Sequence, residues 1–141
     1  MNNWKYPTKL PRRKYWYHGT TLEGARQIQK DGVIKPGWYA VWLTSNDWAI
    51  HFAHQKAQTS LAMKILHKES YDISDYENFG VFKIPTSRLD SDKMHLSQDH
   101  APRFFPGMVA LEYHGEIPVE DPAEYYIDTN IASNIRVEET A

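Results

Sequence analysis

Apolar and polar positions follow one another in blocks along this chain, and the blocks change period at identifiable residues. Lys14-Tyr-Trp-Tyr17 is dense in strand-favouring aromatics and predicts a short strand. Behind it, Leu22, Ala25 and Ile28 recur at helical spacing. Thr20-x-x-Glu23 has the form of a capping box and Gly32 stands where a left-handed stop belongs, so a helix is predicted over 22–30. Pro36-Gly37 marks a turn, and Tyr39-Ala-Val-Trp-Leu43 reads as a second, buried strand because it is apolar throughout. Ser45, Asn46 or Asp47 caps a second helix whose apolar face is Trp48, Ala49, Phe52, Ala53, Ala57 and Leu61, with an extension through Met63, Ile65 and Leu66. Residues 67–78 are polar and loop-like. Gly80-Val-Phe-Lys-Ile84 predicts a third strand, stopped by Pro85, and 86–107 a long irregular connection of the kind that carries function or moves. Met108-Val-Ala-Leu-Glu-Tyr-His114 is the last clear strand, with a further short one at 124–127 and a weakly patterned tail after Thr129. Strands outnumber helices, which predicts an α+β fold on a mostly antiparallel or mixed sheet.

Composition narrows the class. A length of 141 residues, 41% of them apolar and 13% aromatic, suits one domain with a real core. Sixteen basic against eighteen acidic residues exclude a strongly basic, non-specific nucleic-acid binder. The absence of cysteine excludes a disulfide framework, a thiolate metal site and a Cys nucleophile. No apolar run is long enough for a membrane span and no signal-peptide core stands at the N-terminus, so a soluble cytoplasmic protein without a membrane partner is expected. Charge is placed unevenly. Lys5, Lys9, Arg12, Arg13 and Lys14 crowd the first fourteen residues, whereas from Glu112 onward eight acids face only Arg136. The expected organisation is a basic extended arm over 1–13, one domain over 14–128 and an acidic tail over 129–141. Contact of the arm with a phosphate, as in nucleic acid, or with an acidic partner is one reading of its charge, and an ordinary solvated terminus is the other.

The order strand, His18-Gly19-Thr20, capped helix, then strand, Thr44, helix is the most informative pattern. Tyr17-His-Gly-Thr20 with Ala25-x-x-Ile28-x-x-x-Gly32, and Val41-Trp-Leu-Thr44 with Ala49-x-x-Phe-Ala53, resemble the first two motifs of the ADP-ribosyltransferase superfamily. This is the NAD-binding fold of the poly(ADP-ribose) polymerases and related bacterial and phage enzymes. Val81-Phe-Lys-Ile84-x-x-x-x-Leu89-Asp90 and Tyr113-x-Gly115-x-Ile117-Pro118-x-Glu120 are similar to patterns in small members, so the likeness spans about residues 15–120. The resemblance implies a split mixed or antiparallel sheet with helices after the first and second strands. It also implies NAD as substrate, without metal, and transfer of ADP-ribose to a protein or nucleic-acid acceptor, a host factor among them. On this mapping His18 binds a ribose hydroxyl, the Gly19 backbone meets the nicotinamide amide, Phe52 stacks on the ring, Trp42 lines the pocket, and Thr20 and Thr44 complete the two motifs. The family more often has Tyr or Phe at Trp42, and its polymerase-like branch has Ser at Ala49.

These residue types suit the chemistry. Cleavage of the nicotinamide–ribose bond passes through an oxocarbenium-like transition state, which calls for an oriented substrate and negative charge near the anomeric carbon. The family supplies that charge from a Glu on a late strand. Glu112 is the first candidate here and Glu124 the second, with Glu116 and Glu120 behind them. A metal is not expected: His51 and His54, like His95 and His100, lack zinc-helix spacing. Two other functions compete, a non-catalytic binding or inhibitor protein of phage or mobile-element type on the same fold, and an enzyme like the RNA 2′-phosphotransferases.

Overall fold

The aromatic run forms strand β1, Tyr15–Thr21, in a computed structural model that describes residues 7–100, 102–119 and 126–130. Alternate side chains of a strand point to opposite faces, and β1 is buried on both. Trp16 joins a core with Ala25, Leu43, Phe82 and Leu111, while Tyr17 joins a second core with Ala49, Ala53, Phe79 and Val81. Helix α1, Leu22–Asp31, starts at once: Thr21 accepts the Gly24 N–H in its side chain, and the chain leaves the helix through Gly32 at φ +69°. Thr21 rather than Thr20 is therefore the cap. The short strand β2, Val33–Ile34, and then β3, Val41–Leu43, follow.

Ser45 is the N-cap residue of the long helix α2, Asn46–Leu66, which runs through Met63 and Ile65 as the periodicity predicts. Ala49, Ala53 and Ala57 are its buried apolar residues, and this small-residue stripe lets the helix lie close on the sheet. A single helical turn, α3 (Ser74–Glu77), leads into β4, Asn78–Pro85. The connection after Pro85 is less irregular than expected. It contains two 3-10 turns, at Thr86–Arg88 and Ser91–Lys93, and strand β5, Met94–Leu96. β6 (Leu111–Tyr113), β7 (Ile117–Pro118) and β8 (Tyr126–Asn130) complete the described elements.

The fold is mixed α+β, and every strand pair among the described residues is antiparallel. Strands β1, β4 and β8 form one sheet in the order β1-β4-β8, and β3, β6 and β5 form another in the order β3-β6-β5, with β2 and β7 paired separately. The two larger sheets touch where Tyr17 and Thr44 exchange both backbone hydrogen bonds at 2.9 Å. No helix among the described residues is long and apolar enough to cross a membrane. At the N-terminal side Leu10 packs against the first core and Gln98 donates to the Pro7 carbonyl, so residues 7–13 lie along the domain. Glu120, Glu124 and residues from 131 onward lie outside the described residues.

Candidate functional site

The seam between the sheets opens immediately beyond its one bridge. Antiparallel register from Tyr17↔Thr44 would next oppose Gly19 to Trp42. Instead, His18 Nδ1 lies 3.0 Å from the Trp42 carbonyl oxygen, the acceptor that a further rung would use. The partner is a carbonyl, so Nδ1 carries the proton and Nε2 is the acceptor of the neutral ring. Burial, then the charge of Lys56, hold His18 neutral and push its pKa down to about 4, against the opposing effect of the Trp42 carbonyl. His18 thus keeps the seam apart by binding one of its edges.

Gly19 is required by packing. A Cβ there would stand 2.0 Å from the Ala49 carbonyl oxygen and 3.1 Å from the Ala53 Cβ, so α2 could not lie where it does. Its carbonyl accepts from Lys56 Nζ at 2.8 Å. Lys56 is an exposed residue, yet its ammonium turns inward to Gly19, and the resulting desolvation lowers its pKa.

Beyond the bridge lies a cavity of about 160 Å³, lined among others by Gly19, Trp42, Thr44, Phe52, Lys56 and His100. An apolar cavity of about 150 Å³ is known to take one benzene-sized ring, so this volume suits a single ring rather than a dinucleotide. Met108, Ala110 and Ala49 add apolar wall. Next to two of its lining residues, the Phe105 ring is 5.5 Å from Phe52 and 5.3 Å from His100. Trp42 Nε1 and His100 Nδ1 are buried without a hydrogen-bond partner among the described residues. Each such orphan costs roughly 1–3 kcal/mol unless something pairs with it. Burial lowers the pKa of His100, outweighing the Asp99 and Glu112 charges, so its ring is neutral at pH 7.

Outside this cavity Glu112 stands opposite both Trp42 and His95 in the register of the second sheet. Its side chain is only 12% exposed and faces His114 Nε2 at 3.2 Å. Tyr39 Oη lies 2.7 Å from Asp99 and 3.2 Å from Glu112, and these two carboxylates, Asp99 first, raise the Tyr39 pKa strongly. An open hollow of about 450 Å³ beside it is lined by Trp38, Tyr39, Trp42, Asp99 and His100. It shares Trp42 and His100 with the inner cavity.

Of the residues singled out in the sequence, Gly19, Trp42, Thr44 and Phe52 meet in one cavity. His18 is tied to it through the Trp42 carbonyl, and Glu112 neighbours Trp42 across the strand pair. Thr20 is elsewhere: its hydroxyl packs beside Gly24 at the start of α1. Thr44 donates to the Val109 carbonyl at 2.9 Å and so fixes the cavity wall. Glu124 lies outside the described residues. Lys56, His100, Tyr39 and Asp99 were not anticipated. For Lys56 a signal existed, because it follows Phe52 by four residues and shares its helix face. Among the described residues no group of three or more His, Asp or Glu is arranged to hold a metal ion. Compared with models of known families, with curated proteins and with solved structures, the chain gives no significant match.

Proposed function

We propose that the protein binds the nicotinamide end of NAD in the ring-sized cavity and transfers ADP-ribose to a macromolecular acceptor. The observation that carries this reading is a cavity of one-ring volume walled by Phe52 and Trp42, with Gly19 and Lys56 in the same lining. A primary carboxamide offers an acceptor oxygen, and the Lys56 ammonium in the lining has N–H groups beyond the one given to Gly19. The apolar wall with Phe52 and Trp42 suits the ring itself. Glu112, little exposed and adjacent to Trp42, supplies negative charge at the cavity's flank. In the reaction the ribose C1′–nitrogen bond breaks, its electron pair leaves with nicotinamide, and the acceptor's nucleophile joins C1′ and gives up its proton. The carboxylate stabilises the positive charge on the ribose while neither bond is complete. His18 acts on the site through the Trp42 carbonyl that its Nδ1 binds.

Release of nicotinamide from NAD tests this. Wild type should release it, and Glu112→Gln should lower the rate by roughly 10²–10³-fold, the scale of losing one preorganised electrostatic group. Absence of release together with no NAD-induced rise in melting temperature would end the proposal.

Lys56 favours a second reading. An ammonium in the cavity wall repels the cationic ring of oxidised NAD, and this suits a binding protein that holds a neutral carboxamide ring without turning NAD over. Free nicotinamide stabilising the protein while NAD is neither bound nor cleaved would select it.

A further inference from the structure

The open hollow beside Glu112 has a chemistry of its own. Trp38 projects from the bend before β3 with 89% of its surface exposed. Its ring lies 6.2 Å from Tyr39 at 60°, and Tyr39 lies 5.2 Å from Trp42 at 80°. The three rings therefore present faces in different directions around one space. Among the described residues the only fixed charge in the lining is the carboxylate of Asp99, an exposed residue, and behind it Tyr39 Oη also reaches Glu112. Tyr39 occupies one oxygen of Asp99, and a carboxylate has about four lone-pair sites. Aromatic faces next to a negative charge attract organic cations.

We propose that this hollow binds the guanidinium group of an arginine side chain presented by a partner protein. Guanidinium fits better than other cations for two reasons. It is planar and stacks on an indole face, and its parallel N–H groups match a carboxylate. A quaternary ammonium has no N–H for Asp99, and a lysine ammonium has no plane to stack. The hollow opens to solvent through the projecting Trp38, which suits a side chain arriving on a polypeptide. The site does not depend on the NAD reading: it shares Trp42 and His100 with the inner cavity, but Trp38, Tyr39 and Asp99 belong to the hollow alone.

Titration of the full chain with agmatine, butylamine, N-butylurea and a capped glycine–arginine–glycine tripeptide, followed by tryptophan fluorescence, tests it. Agmatine and the tripeptide should saturate. Butylamine should bind more weakly, and the neutral urea should not bind. Trp38→Ala and Asp99→Asn should each weaken the tripeptide about tenfold with an unchanged melting temperature, since both side chains are exposed. Equal response to the urea or to butylamine, or variants that bind like wild type, would overturn the assignment. Binding of agmatine without the tripeptide would also overturn it, by pointing to a small guanidine instead of a protein. NAD cleavage, measured separately, reports only on the inner cavity.

Discussion

His18 stands where a backbone hydrogen bond would otherwise close the seam, and that position makes it a stability determinant with a definite pH signature. Its pKa is about 4 in the folded protein and near 6.5 when unfolded, so the unfolded chain takes up a proton that the folded one refuses. The resulting stability is complete above pH 6.5, is lost progressively as pH falls toward 4, and does not change further below that. Allowing for the partial exposure of the ring, about 2 kcal/mol should disappear across the window. Urea midpoints measured from pH 7 to 4 should therefore fall, and His18→Gln should flatten the curve; His100 contributes with the same sign. An equally steep curve in the variant would contradict the account. Gly19 gives a second prediction. Gly19→Ala must separate β1 from α2 and should cost about 2 kcal/mol or more in urea unfolding. The His18-Gly19 pair was conspicuous in the sequence, but the glycine's contact with Ala49 was not. Neither was the Lys56 bond to its carbonyl, because both exist only after a helix docks on a strand thirty residues earlier.

At the scale of elements, what was legible was what local chemistry decides. The helices over 22–31 and 46–66 start and stop at caps and periodicities that belong to their own residues. The strands were legible as nuclei only. β1 extends to Thr21 because seven residues of β4 pair with seven of β1, a ladder between segments that share no local signal. β2 and β7, two residues each, and β5 within the long connection exist only as partners of other strands. The face of α2 shows the same division. Its apolar stripe was readable, but the sequence could not show that the alanines take the buried centre while Trp48 and Phe52 sit at the margin. Two substitutions should separate these environments in chemical denaturation. Ala53→Leu, which overfills the contact with β1, should cost roughly 1–3 kcal/mol. Leu66→Ser, at a residue 70% exposed in the last turn, should change stability by less than about 0.5 kcal/mol.

For the molecule as a whole, the central feature is the meeting of two three-stranded antiparallel sheets at the Tyr17–Thr44 bridge, with a cavity beyond it. Interiors are normally filled, and small voids between apolar walls weaken a fold. Here the cavity stands beside two buried polar atoms that have no hydrogen-bond partner among the described residues, and both features carry a stability cost. Such sites trade stability for function, so filling them should reverse the trade. Ala110 is the place to do so, since it lines the cavity, is 3% exposed, and carries no side-chain hydrogen bond. Ala110→Leu should raise unfolding stability by about 0.5–2 kcal/mol and abolish the thermal shift produced by nicotinamide. In wild type that shift corresponds to about 2.7 kcal/mol when ligand stands at 100 times its Kd. The two outcomes are coupled: a leucine that fits occupies the ring's space, so stability and binding must move in opposite directions. If Ala110→Leu instead destabilises as an overpacked core substitution does, the space beyond the Tyr17–Thr44 bridge is not available to any ring, and the inner site has no room for the proposed substrate.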